Sequence, residues 1–188
     1  MTIATERAPA RGRLLVAAPS LQDPNFARTV VLLLEHNEGG TLGVVLNRPT
    51  DRDLSAVLPQ WELFAAQPAA LFRGGPVDPD AAVCLGTTTG AAVAGWQGVL
   101  GALGVVDLSQ DPDELAGRIA AVRVFVGYAG WGPGQLDVEL DEGAWFVVDA
   151  EAADVFAVAP ERLWSQVLRR QPGDLALLAT FPADPSLN

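Results

Sequence analysis

TVVLLLEHNEGGTLGVVL, residues 29–46, is the stretch on which the fold turns. Thr29–Glu35 is a leucine-rich, β-branched run of strand length, and Thr41–Leu46 is a second apolar run. A run this continuously apolar reads as a buried strand. Between the two, Asn37-Glu38-Gly39-Gly40 has turn composition, because asparagine and glycine tolerate the backbone that a tight reversal needs. The runs are therefore predicted to pair as an antiparallel hairpin. Alternation along the first strand places Glu35 and His36 on opposite faces, which argues against a catalytic pair.

Upstream, Leu14–Ala18 reads as a first strand stopped by Pro19, and residues 1–12 read as a disordered tail before a single domain over 13–188. Downstream, Asp53–Leu58 reads as a short helix capped by Asp51 or Asp53. RGGPVDP, residues 73–79, is a loop by composition. Ala81–Leu85, Gly98–Val106 and Val122–Tyr128 read as strands. Ser109–Ala121 is predicted as a helix, with Ser109 or Asp111 as cap, Pro112 in its first turn, and Leu115 and Ile119 four apart. Gln135–Leu140 reads as a short helix, Ala144–Val148 as a strand, and Glu151–Phe156 and Pro160–Arg170 as helices. Arg169 and Arg170 fall at the negative end of the last dipole. The hairpin and the irregular spacing predict an α+β domain with a mixed sheet.

Composition excludes much chemistry. The 188 residues carry a net charge of −11, with 23 acids against 12 bases, and every base is arginine. Without lysine there is no Schiff base and no P-loop lysine. One cysteine, Cys84, and one histidine, His36, cannot build a zinc site of the usual type or an iron–sulfur site, so no metal and no cofactor is expected. Cys84 in AAVCLG reads as a small core residue. The acidic balance argues against strong nucleic-acid binding, which depends on clustered Lys and Arg. Mean hydropathy is high, +0.24, yet no apolar run approaches the ~18–20 residues of a membrane span. The N-terminus lacks the apolar core of a signal peptide, so a cytoplasmic protein without membrane attachment is expected.

FVGYAGWGPGQL, residues 125–136, takes a predicted strand into a glycine-rich turn and a helix start. That arrangement presents backbone N–H groups to an anion. Its spacing is not a dinucleotide fingerprint, and Pro133 removes a donor. The competing reading is a packing corner, in which the glycines supply positive φ and Tyr128 and Trp131 cover the core. Gly130 in particular is expected at positive φ. Asn47-Arg48-Pro49 and Arg73-Gly74-Gly75 are arginine loops at strand ends, suited to clamping carboxylate or phosphate.

The blocks GRLLVAAPSLQDPNFARTVVLLLEHNEGGTLGVVLNRP, FRGGPV, FVGYAGWGPGQLDVEL with GAW, and ADPSLN, in that order, resemble the YqgE/AlgH family over nearly the whole chain. The resemblance implies a bacterial cytosolic protein whose branched mixed sheet includes a small closed barrel, with helices packed around it. It brings no catalytic residues and no cofactor. One branch of the family is named for a proposed role in transcriptional control, which here would not act through direct DNA binding. The functional expectation is a binding or regulatory protein, monomeric or weakly self-associating, with a small anionic ligand or a protein partner. Its ligand-binding residues are expected to be Arg28, Asn47, Arg48, Arg73, Gly74, Gly75, Tyr128, Gly130, Trp131, Gly132 and Gln135. The alternative is a small hydrolase or transferase using His36 or Asp23 on the same surface.

Overall fold

The computed structural model describes residues 8–90 and 93–181. Residues 1–7 of the expected tail and the ADPSLN motif lie outside the described residues. Strand β1 (Arg13–Ala17) precedes the hairpin, which forms as β2 (Val30–Asn37) and β3 (Gly40–Val45). The hairpin pairs antiparallel from Val31↔Val45 to Asn37↔Gly40. At its tip the Gly39 N–H donates to Asn37 Oδ1 at 2.7 Å. Gly40 has φ +132°, and a Cβ there would meet the Trp131 carbonyl at 2.5 Å, so glycine is required.

Then follow β4 (Pro49–Asp53), α1 (Leu54–Val57), a 3-10 stretch Pro59–Phe64, β5 (Ala70–Arg73), β6 (Val77–Thr88), β7 (Gln97–Leu100), β8 (Leu103–Val106) and β9 (Ile119–Trp131). The chain ends with α2 (Gln135–Asp141), β10 (Trp145–Asp149), α3 (Ala152–Val155), α4 (Leu163–Arg169) and α5 (Asp174–Leu178). The sheet runs in the order β10-β1-β2-β3-β9-β6-β8-β7. A branch leaves it at β9, where β5 pairs parallel through Phe72↔Phe125 and itself carries β4. The domain is thus mixed α and β around one large, mainly antiparallel sheet, and the mixed-sheet expectation stands.

The closed barrel does not form. The terminal strands β10 and β7 are not hydrogen-bonded to each other, and a barrel needs a ladder at every edge. At β7 the Arg11 guanidinium donates to the Gly98 carbonyl at 2.6 Å. Gly12 beside it commits its N–H to the Leu33 carbonyl at 2.8 Å, so the peptide that could extend a ladder is already paired with β2.

Three local expectations also change. Asp111 does cap, accepting from Asp113 N at 3.0 Å, but only the 3-10 turn Pro112–Leu115 follows. Gly117 at φ +76° ends it, and Ile119 joins β9 opposite Thr88, so strand pairing displaces the predicted helix. Residues 98–106 are two strands, reversed at Gly101 with φ +55°. GYAGW is the end of a thirteen-residue strand, which leaves only Gly132-Pro133-Gly134 as the turn. Gly130 accordingly has no positive φ, and it pairs with Leu42.

The central strands are buried on both faces, which is why they read as unbroken apolar runs. Leu14, Val16, Val30 and Leu32 face a core shared with Trp164, Val167 and Leu168 of α4. Leu15, Val31, Leu33 and Val45 face a second core, closed by Leu136 of α2, Trp131, Trp145 and the partly buried Phe26. Among the described residues no helix is long and apolar enough to cross a membrane.

Candidate functional site

The loop between β1 and β2 folds on itself. The Asp23 carbonyl accepts from Phe26 N at 2.9 Å and Ala27 N at 2.7 Å, and Asp23 Oδ1 accepts from Asn25 N at 2.8 Å. This turn fixes Pro24 and Asn25 at the surface. Asn47, only 5% exposed, splices the loop to the sheet: Oδ1 accepts from Val30 N at 3.0 Å and Nδ2 donates to the Arg28 carbonyl at 2.9 Å. Arg48 donates to the Ala27 carbonyl at 2.6 Å, and the Arg73 N–H donates to the Arg48 carbonyl at 2.8 Å. Val45 N donates to the Gly74 carbonyl at 2.8 Å.

These bonds enclose a cavity of about 50 Å³ lined by Pro24, Asn25, Val45, Arg48, Arg73, Gly75 and Pro76. The glycines are needed for close approach. A Cβ on Gly74 would stand 2.3 Å from the Gly127 carbonyl, and one on Gly75 would stand 2.1 Å from the Tyr128 backbone. The arginine loop therefore lies directly on the backbone of the glycine–aromatic strand. Burial, and then the neighbouring Arg73 charge, lower the Arg48 pKa. Among the described residues neither arginine is in an ion pair, and the exposed Arg73 guanidinium has no hydrogen-bond partner. Two like charges thus line one cavity, with no carboxylate of the described residues paired to either.

The other expected residues go elsewhere. The Arg28 guanidinium lies 3.9 Å over the Trp164 ring and donates to the Phe181 carbonyl at 3.0 Å, so it lines the α4 side and not the cavity. Tyr128 meets the arginine loop through its backbone, paired with Val77. Gln135 Oε1 accepts from Gly132 N at 3.0 Å and its Nε2 donates to Glu139 Oε1 at 2.9 Å. Glu139 Oε2 also accepts from the indoles of Trp131 at 2.9 Å and Trp145 at 2.8 Å. Gln135 and Trp131 thus belong to an aromatic scaffold in which Phe26 stacks on Trp131 at 6.1 Å.

Gly132 lines a separate cavity of about 230 Å³ with His36, Gly40, Thr41, Gly134 and Asp137, at the hairpin tip. There His36 Nδ1 sits 2.7 Å from Thr41 Oγ1, its cross-strand partner. Asp23 lines neither cavity, and its carboxylate holds the loop turn. Buried Cys84 has its thiol pushed up to about 12 by burial, which removes it as a nucleophile at neutral pH. Among the described residues no three His, Cys, Asp or Glu side chains gather as a metal site.

The AlgH-like family model matches residues 14–176. The chain belongs to the AlgH-like family. Similar relatives include a UPF0301 protein of Streptomyces coelicolor, 55% identical over 189 residues with 98% of each chain covered. Another, from Rhodococcus jostii, is 50% identical over 191 residues, covering all of this chain and 95% of its own. A crystal structure of a Corynebacterium diphtheriae protein superposes with TM-score 0.89 at 39% identity, covering 93% of this chain and 94% of that one. The solution structure of AlgH from Pseudomonas aeruginosa gives 0.67 at 34% identity, over 97% and 98%. Every residue lining the arginine cavity lies within the segment matched to the AlgH-like family. Four of them, Pro24, Asn25, Val45 and Pro76, are not among the binding residues expected from sequence; for Pro24 and Asn25 a signal was present. The available signal was Asp-Pro-Asn as turn chemistry just ahead of a buried strand.

Proposed function

We propose that this AlgH-like protein is a non-enzymatic binding protein whose site is the Arg48–Arg73 cavity and whose ligand presents an anionic group. One observation carries the reading: two guanidiniums border one small cavity, and no carboxylate of the described residues neutralises them. A purely structural arginine finds an acid or carbonyls for most of its donors, as Arg170 does with Asp154 at 2.5 and 2.6 Å. Arg73 does neither. Backbone strain supports the same place, because Arg28 (+56°) and Asp78 (+44°), the non-glycine residues at positive φ among the described residues, sit in the segments that flank it. Any regulatory output passes through this contact and not through duplex DNA, which the net charge of −11 repels.

Amide chemical shifts, followed while acetate or inorganic phosphate is added, test the site. Both anions are expected to shift Asn25, Arg48, Arg73 and Gly75, saturably and less at high salt. Arg73→Ala is expected to weaken the effect about tenfold or more while changing unfolding free energy by less than ~0.5 kcal/mol, because the side chain holds nothing in place. Shifts that persist unchanged in Arg73→Ala, or no anion-dependent shift at the cavity, would remove the proposal.

A further inference from the structure

The size of the arginine cavity restricts what can enter it. At about 50 Å³ it has room for roughly three to five water positions. That accommodates one carboxylate or one phosphoryl group, and it leaves no space for a sugar, a base or a second charged group. Whatever binds there inserts one end and keeps the rest of itself outside. Outside, the cavity is bordered by the exposed Pro24 and Pro76, with Val77, the residue after Pro76, 37% exposed. Such a rim offers apolar contact to whatever is attached to the inserted group.

Charge narrows the choice further. The chain as a whole carries −11, so a polyanion is repelled at every distance beyond the cavity itself. A single negative charge attached to apolar groups pays least in that field and gains most from the rim. The walls are already held by the Arg48–Ala27, Arg73–Arg48 and Val45–Gly74 hydrogen bonds, so binding requires little ordering of this side. Resting on the anion-binding reading above, we infer that the occupant is a protein segment that inserts one aspartate or glutamate carboxylate between Arg48 and Arg73 and lays an adjacent apolar side chain or proline on the Pro24–Pro76 rim. The Arg73 guanidinium, exposed and without a partner among the described residues, supplies the two parallel donors that a planar carboxylate accepts. Arg48, held to Ala27, supplies a fixed charge behind it.

The test compares three probes on the full chain by amide-shift titration: N-acetyl-Pro-Glu-Leu-amide, the same peptide with glutamine, and inorganic phosphate. The glutamate peptide is expected to bind at about millimolar Kd, with the glutamine peptide and phosphate each about tenfold weaker. Arg73→Ala should lose the preference for glutamate over glutamine, whereas Arg73→Lys should keep part of it, because a lysine retains the charge without the fork. Equal binding of the two peptides would overturn the inference, and so would phosphate binding as tightly as the glutamate peptide. The second outcome leaves the anion site itself intact. Silence of all three probes removes both readings. If the cavity is instead filled by another copy of this chain, its amides will shift with protein concentration alone and the added peptide will not compete, which also overturns the inference.

Discussion

Arg123 shows how a single residue can be fully charged and still belong to the core. It is 2% exposed, lies in the middle of β9, and stacks its guanidinium 4.3 Å over the Phe72 ring. It donates to the carbonyls of Val155 at 2.9 Å, Ala157 at 3.0 Å and Gln67 at 2.6 Å, while Nε has no partner. Burial pushes its pKa down to about 10, so at neutral pH the side chain remains protonated. It acts as a linking donor that joins the segment after α3 to the segment before β5. Arg123→Leu is expected to cost roughly 3 kcal/mol or more in urea unfolding, because it leaves buried carbonyls without donors. Arg123→Lys should recover only part of that, since one ammonium cannot span both sides of the fork. A loss below ~1 kcal/mol would mean that water replaces the guanidinium freely.

At the scale of elements, α2 is held less by its own seven residues than by Glu139. An isolated helix this short is unstable in water, so packing must hold it. Glu139 Oε2 receives two indole N–H groups, one from β9 and one from β10, and Oε1 receives Gln135. One carboxylate therefore joins the helix to two strands that are not neighbours in the sheet. Glu139→Ala is expected to destabilise by about 2–4 kcal/mol, since it orphans two buried donors. It should also shift the tryptophan fluorescence and near-UV circular dichroism, which report Trp131 and Trp145 directly. Unaltered tryptophan spectra would show that the indoles do not depend on this acceptor. The C-terminal elements use a comparable device: Asp154, 4% exposed, accepts from the Glu151 N–H at 2.8 Å and takes both arms of Arg170. Arg170 thereby serves an ion pair, where its sequence position suggested a helix-dipole role.

For the whole molecule the continuous sheet matters most. Strands β1, β2 and β3 contribute alternate side chains to both cores, so neither core can open without exposing the other. The third cluster, Leu54, Trp61, Leu71, Cys84 and Val122 among others, is joined to the first through β5, β6 and β9. A single cooperative transition is expected in urea, with tryptophan fluorescence and far-UV circular dichroism giving the same midpoint. Two separated midpoints would mean that the β6–β8 region and the β1–β3 region unfold independently.

The sequence by itself determined the hairpin, the buried strands around it and the membership of a mixed α+β class, because these follow from local pattern: apolar runs of strand length and an Asn/Gly turn. It also pointed to Arg48 and Arg73, since an arginine beside a strand end has few local uses. Other features depended on distant partners. Residues 109–121 carry helix signals, yet Ile119 and Val122 gain more by pairing with β6 than a capped helix would supply. Whether the sheet closes depends on pairing between its terminal strands β10 and β7, far apart in sequence, and they do not pair. Arg28 and Gln135 resemble Arg48 and Arg73 as sequence, but tertiary contacts assign the first to Trp164 and the second to Glu139. Only the folded chain separates arginines that have partners from Arg73, which lines a cavity with no side-chain partner among the described residues, because what a side chain meets depends on what surrounds it in space.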